Sequence, residues 1–412
     1  MLAVHFRARR GFVPVLLSLA AVSCERPQGA GASDLTLQRS TIGDTVVVRN
    51  LSGSLWGDTV RLVEELRIGD REGGDAYTFG DVRAMAVGLD GTVYVYDASM
   101  RALRSYDTAG HYVRTIGRDG AGPGEYRDVV GLAISRNGRL FLRDPRLGRI
   151  VQFTAEGEPA GTWQLLSGLY GDDALMFDTT GNVYAKVVTG AIKPGAPWPL
   201  GFVKLDANGV IVDTVESPRW AEAPVTFVPY GPEVLWTRHP FEFEVTAFGA
   251  RYAIELRRPD GSVLRLERAG LPALEIPDAE RRELSAIVAA EQREPDEVNS
   301  APPGTIPFVK PAIRALKTGA DGRLWVRPYM PSVENTAPVD TTLPLTQRSR
   351  RWSERVAWDV FEPDGRFLGR LLLPERATIH VMRGEYVWGT VLEQDDLPYV
   401  IRWHIVGVSR RQ

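Results

Sequence analysis

Cysteine is almost missing from this chain: Cys24 is the only one in 412 residues. That excludes an intrachain disulfide, a cysteine-based zinc cluster and a catalytic thiol in the body of the protein. An excess of either charge is missing too. With 49 Lys and Arg against 52 Asp and Glu the formal net charge is -3, so nothing in the balance speaks for nucleic acid as a partner. Histidines are few: His5 lies in the first ten residues, and His111, His239, His380 and His404 are isolated, with no pair at metal-ligand spacing. Beyond the first two dozen residues no apolar run approaches the ~20 residues needed to cross a bilayer. There is no Gly-x-Ser-x-Gly elbow, and the Gly-rich stretch 117–124 lacks the Lys-Ser/Thr of a phosphate-binding loop.

What is present is the balance of a globular chain, 44% hydrophobic and 25% charged. Arg7, Arg9 and Arg10 precede an apolar stretch, 11–22, and small residues lead to Cys24, the pattern of a signal peptide. Leu19-Ala20-Ala21-Val22-Ser23-Cys24 resembles the bacterial lipobox, with Ala21 where leucine is usual. The resemblance implies a lipoprotein signal peptide over 1–23, acylation of Cys24 and a flexible tether over 24–34, with the folded body over 35–412. The expected location is therefore outside the cytoplasm, anchored through lipid to a bacterial membrane, in the periplasm or at the outer membrane.

A unit recurs along the body: a short apolar strand, a Gly turn, then a strand with an aromatic between aliphatic residues. It reads Asp90-Gly91-Thr92-Val93-Tyr94-Val95, Asn137-Gly138-Arg139-Leu140-Phe141-Leu142, Thr180-Gly181-Asn182-Val183-Tyr184-Ala185, Asp321-Gly322-Arg323-Leu324-Trp325-Val326 and, less regularly, Arg383-Gly384-Glu385-Tyr386-Val387-Trp388. Phe248-Gly249-Ala250-Arg251-Tyr252-Ala253 is taken as a degenerate sixth copy. A second Gly turn follows most copies, as in Tyr106-Asp107-Thr108-Ala109-Gly110 and Phe361-Glu362-Pro363-Asp364-Gly365. Two hairpins per unit make four antiparallel strands, a propeller blade. The spacing predicts an all-β, six-bladed β-propeller closed by pairing strands at 44–49 and 60–68 with the C-terminal strand at 399–406. It also predicts a helical insertion over 277–303, with Asp278 as N-cap, and an extended loop over 331–351.

The segment Ile116-Gly117-Arg118-Asp119-Gly120-Ala121-Gly122-Pro123-Gly124-Glu125-Tyr126 resembles the inter-blade connection of NHL-type six-bladed propellers. The resemblance covers most of the body except 219–310, and it implies a fold that binds ligands at the mouth of its central channel. It implies no single activity.

Polar residues at the starts of inner strands ring that mouth. The candidates are Arg83, Asp128, Asp172 and Arg314, with Asp81, Arg127 and Asp173 beside them and His239 as a channel residue. Such a ring holds a carboxylate, a sugar or a peptide terminus with arginine as the clamp, or else closes on itself in salt bridges. A divalent cation would need carboxylates and amides from several blades, such as Asp128, Asp172 and Asn299, which no spacing demands. No catalytic residue, metal ligand or cofactor is assigned. Trp198, Trp220 and Trp236 are placed in loops as possible sugar platforms, and the cluster Arg348, Arg350, Arg351 and Arg355 is read as a solvated loop. The leading expectation is a non-catalytic binding or scaffolding propeller of the cell envelope, its ligand a protein, peptide or carbohydrate. The alternative is a lactonase-type hydrolase or lyase at the channel mouth, and a further reading makes the helical insertion a docking face.

Overall fold

The computed structural model describes residues 35–57, 60–165, 175–193, 198–220, 228–291, 305–336, 339–393 and 396–407. Cys24, the leader, the tether, Asp172, Asp173 and Asn299 lie outside them. Three strands precede the first blade: β1 (Thr36–Ile42), β2 (Thr45–Ser52) and β3 (Arg61–Ile68). Blade one comprises β4 (Val82–Val87), β5 (Val93–Asp97), β6 (Ala102–Tyr106) and β7 (Tyr112–Ile116). The Gly-rich connection carries a short parallel pair, β8 (Arg118–Asp119) with β9 (Glu125–Tyr126). Blade two comprises β10 (Gly131–Ile134), β11 (Leu140–Asp144), β12 (Arg149–Phe153) and β13 (Pro159–Gln164), and blade three β14 (Met176–Phe177), β15 (Val183–Val188), β16 (Leu200–Leu205) and β17 (Ile211–Glu216). Blade four is β18 (Val234–Arg238), β19 (Glu244–Phe248), β20 (Ala253–Arg257) and β21 (Val263–Arg268), followed by helix α1 (Asp278–Glu291). Blade five starts with β22 (Ile313–Thr318) and β23 (Leu324–Pro328), is interrupted by the antiparallel pair β24 (Ser332–Glu334) and β25 (Trp352–Glu354), and ends with β26 (Ala357–Phe361) and β27 (Phe367–Leu372). Blade six is β28 (Ala377–Arg383), β29 (Tyr386–Leu392), β30 (Pro398–Val406) and, from the other end of the chain, β3. This is a six-bladed β-propeller.

The sequence of each strand follows its place in the wheel. A middle strand has a neighbouring blade on either face, so Val-Tyr-Val-Tyr-Asp of β5 and Leu-Phe-Leu-Arg-Asp of β11 are buried along their whole length. Outer strands such as β7 and β17 are mostly exposed. The core is accordingly split between blades: Leu103, Tyr126 and Phe153 fill the seam of blades one and two, and Trp325, Trp358 and Trp403 that of five and six. The seam of three and four is built, among the described residues, on Tyr184, Phe202 and Trp236. Buried aspartates at the ends of middle strands pin the entry of inner ones. Asp97 accepts hydrogen bonds from the backbone N–H of Gly80 and Asp81, and Asp144 from that of Arg127.

Three expectations change. First, the first turn of blade four is not at Gly249, which lies in the following hairpin between β19 and β20. It is His239–Phe243, closed by His239 N–H to Phe243 O (2.9 Å) and Glu242 N–H to His239 O (2.8 Å), with Glu242 at φ +65°. Gly91 (φ +87°) holds the equivalent place in blade one, closed by the same two bonds. Second, only β3 closes the ring on β30. The β1–β2 hairpin instead runs parallel to β21 and extends blade four to six strands. Third, the 331–351 segment is not wholly extended, because β24 and β25 pair at its ends around a 3-10 turn at Leu345–Gln347.

Candidate functional site

The inner strands enclose a central channel with a cavity of about 920 Å³, lined along its length by residues such as Ala84, Val130, Met176, Lys317 and Ile379. At its first-turn end the Asp178 carboxylate accepts hydrogen bonds from Thr180 and Asn182, with Lys204 at 3.4 Å. Burial acts to raise the pKa of this group, but those bonds and the Lys204 charge bring it below the ordinary aspartate value.

A second cavity, of about 520 Å³, lies toward the opposite end, between the starts of β18 and β22 and helix α1. Its walls come from the approach to β18 (Tyr230, Glu233), the start of β22 (Arg314), the end of β23 (Tyr329), α1 (Glu280, Leu284, Ile287) and β25 (Trp352, Glu354). The helix is fixed there by chemistry as well as packing. Leu284 sits with Val228 and Ile306, and Glu280, only 2% exposed, accepts from the Tyr230 hydroxyl (2.5 Å) and from Ser332. Burial, with Glu280 beside it, pushes the Tyr230 phenol well above its ordinary range. Tyr230 itself stands at φ +58°, a conformation that bulky side chains rarely adopt and that locates backbone strain at this cavity. Glu354 accepts from Lys310 Nζ (2.6 Å) and from the Met330 N–H (3.1 Å), which ties β25 to the wheel.

The residues singled out in the sequence fall into separate groups. Arg83 bridges Asp128 (2.5 Å) and Asp81 (2.8 Å), so at blades one and two the ring closes on itself. Its pKa is raised: partial burial opposes the shift, and the Asp81 and Asp128 carboxylates outweigh it. Arg314 stands in the second cavity, its guanidinium 5.6 Å from the Tyr329 ring centroid. His239 is at the other end of the inner strands, 1% exposed, with Nε2 donating to Gly322 O (2.7 Å) and Nδ1 accepting from the Phe241 N–H (3.1 Å). Both ring nitrogens are therefore used inside the protein. Asp172 lies outside the described residues, among which no three His, Cys, Asp or Glu side chains gather as a metal would require. Trp236 is not in a loop but in β18, packed edge-on against Phe202. Trp220 stacks on Phe248, and Trp198 is exposed. Of the basic cluster, Arg348 is bonded to carbonyls of its own loop, while Arg350 lines the second cavity.

Sequence reasoning missed Tyr230, Glu233, Tyr329 and Glu354. The signal for Glu233 was the repeat itself: it precedes β18 much as Asp128 precedes β10. The signal was hidden because Glu242, not glycine, makes the turn that marks the blade.

A family model described as a six-bladed β-propeller, DUF5128, matches residues 75–188, from the approach to blade one through β15 of blade three. No curated protein matches the chain. Among solved structures, a member of the DUF4221 family from Bacteroides vulgatus is 11% identical with a TM-score of 0.51, over 84% of this chain and 98% of that one. A virginiamycin B lyase from Staphylococcus aureus is 12% identical, with a TM-score of 0.42 over 84% of this chain and 100% of that one. The calcium-binding protein regucalcin from Agrobacterium tumefaciens is 11% identical, with a TM-score of 0.37 over 83% and 95%. At 11% identity the likeness to the DUF4221 member shows the fold alone and carries no activity across. Among the described residues no helix is long and apolar enough to cross a membrane. The fold itself is the one the matching family model describes, a six-bladed β-propeller.

Proposed function

We propose that this chain is a non-catalytic, NHL-type binding propeller of the bacterial cell envelope, lipid-anchored through Cys24, that takes its ligand in the cavity beneath α1. The observation that carries this reading is the way the inserted helix is fastened over this cavity. Glu280 is buried to join α1 to Tyr230 and to Ser332 of β24, and a cavity of about 520 Å³ is left between helix and wheel. Burying a carboxylate costs free energy unless it is hydrogen-bonded, so a mere surface decoration would not require it. The groups lining this cavity suit recognition: arginine, glutamate, tyrosine, tryptophan and aliphatic side chains. Sequence supports the envelope location through the basic, apolar and small-residue pattern that ends at Cys24.

The test is turnover. Mature protein incubated with a panel of lactones and esters, with and without Ca²⁺, Mg²⁺ or Mn²⁺, is expected to give no hydrolysis above the uncatalysed rate. Turnover that disappears in both Arg314→Ala and Glu233→Gln would replace this reading with the hydrolase one.

A further inference from the structure

Once the contacts inside the cavity beneath α1 are assigned, some of its charged groups are left over. Glu280 is taken by Tyr230 and Ser332, Glu354 by Lys310 and the Met330 N–H, and Glu283 by the Arg351 N–H. The side chains of Arg314, Arg350 and Glu233 make no hydrogen bond or ion pair with any described residue, and neither does that of the half-buried Arg327. Arg327 is near enough to Arg314 for their charges to repel. Its pKa is lowered, by burial first and by Arg314 second. The Glu354 carboxylate opposes that repulsion but is also bound by Lys310 Nζ, so an anion at Arg314 relieves the two like charges further. Glu233 is the opposite case: its residue is exposed at the cavity rim, yet partial loss of hydration raises its carboxyl pKa against the charge of Arg314, with which it makes no ion pair. Leu284, Ile287 and Val288 give the cavity an apolar wall, and the indole N–H of Trp352 has no partner among the described residues.

We infer that this cavity binds a small organic acid bearing a hydrogen-bond donor beside its carboxylate and an apolar body. The carboxylate sits on Arg314 in the added field of Arg327, the donor on Glu233, and the body against Leu284 and Ile287. The inference rests on the reading of this cavity as the ligand site. Guanidinium matches carboxylate geometry with paired donors, whereas the carboxylates that also line the cavity make a bare dianion a poor fit. A carboxylate with an adjacent donor is the shared chemistry of hydroxy acids and amino acids.

The probes are 3-phenyllactate and phenylalanine, compared with their amides, with 3-phenylpropionate, with inorganic phosphate and with glucose and cellobiose as neutral sugars, and binding to the mature protein is read by calorimetry and tryptophan fluorescence. At least one of the two acids is expected to saturate the site, and which one does identifies the source. Its amide should bind about ten-fold or more weakly, and Arg314→Gln should lose about ten-fold in affinity for the acid. Arg314 is exposed, so the variant should unfold at the parent temperature, and Arg314→Lys should keep part of the affinity. Glu233→Gln should narrow the gap between the favoured acid and 3-phenylpropionate. Phosphate binding as tightly as the acids overturns the inference. So does an amide that equals its acid in both the parent and Arg314→Gln. If that amide binding is lost in Trp352→Ala, the cavity remains a ligand site and only the ligand class falls. If no probe binds, neutral sugars included, the inference and the binding reading fall together.

Discussion

His239 shows how a single side chain reads differently in sequence and in structure. As the histidine between Trp236 and Pro240 it looks available for a channel. In the fold its Nε2–H and its bare Nδ1 are both engaged, which holds it in the neutral tautomer. Burial lowers its pKa below the ordinary 6.5, with the bond to Gly322 opposing the shift. The sign of the consequence follows. Below about pH 6.5 the unfolded chain takes up a proton at this position that the folded one resists, so stability is full above that pH and declines as pH falls toward the folded value. Thermal unfolding at pH 7.5 and 5.5 should show this decline, and His239→Gln should flatten it; an unchanged slope in the variant would remove His239 as its source. Glu242, three residues on, explains why the site was only partly legible. A glycine at φ > 0 marks most of the first turns, and a glutamate in the same conformation carries no such mark. Arg314 was found because blade five keeps its glycine. Glu233 was not, because blade four does not.

At the scale of elements, the N-terminal segment serves three blades. The β1–β2 hairpin pairs with blade four, and Asn50 of β2, 3% exposed, donates to Gly365 O (2.9 Å) and accepts from the Phe367 N–H (3.0 Å) of blade five. Leu55 and Trp56 then bond along the edge strand of blade five, through Leu55 N–H to Phe367 O (3.1 Å) and Trp56 N–H to Leu368 O (2.7 Å). A Cβ at Gly369 would stand 3.0 Å from the Trp56 ring, which would have to shift by a few tenths of an ångström to admit it. Finally β3 completes blade six. These roles should separate by truncation. Removing residues through 53 gives up the burial of Leu35, Val47 and Val48 and should cost roughly 3–6 kcal/mol while leaving a closed wheel. Removing residues through 68 also opens the edge of β30 and should give a chain that aggregates or fails to fold cooperatively. Urea unfolding of the two truncations measures the difference, and equal losses would mean that β3 is not the closure on which the ring depends. From the sequence the two N-terminal strands looked equivalent, because both are short, apolar and without a blade. Only the register of β30, whose free edge accepts a single strand, told them apart.

At the scale of the whole molecule, a wheel of six sheets is stabilised at its seams, and its function is left to the two ends of the channel. One end is ringed by hairpin turns in which Asp178 and His239 are held by their neighbours. The other carries the inserted helix, Arg314 and the cavity beneath. If Cys24 is the anchor, this wheel works beside a membrane on a short polar tether. Cys24→Ser should then move the protein from the membrane fraction to the soluble periplasmic fraction without changing its unfolding temperature. A variant that stays with the membrane would show that something other than this thiol holds it.

The sequence by itself determined the architecture, because a propeller is written locally. Each blade is a run of four strands joined by tight turns, and turns that need positive φ select glycine where they can. It also determined where the wheel departs from a plain one, since Pro277, Asp278 and the Ala, Glu and Arg content after them mark a helix that no blade needs. What the tertiary structure alone decided was which charged residues meet. Arg83 and Asp128 are 45 positions apart and pair, while Glu233 and Arg314 are on different blades and flank a cavity without pairing. Those distances depend on how blades are set around the ring and on what the inserted helix covers, neither of which is written in any one repeat.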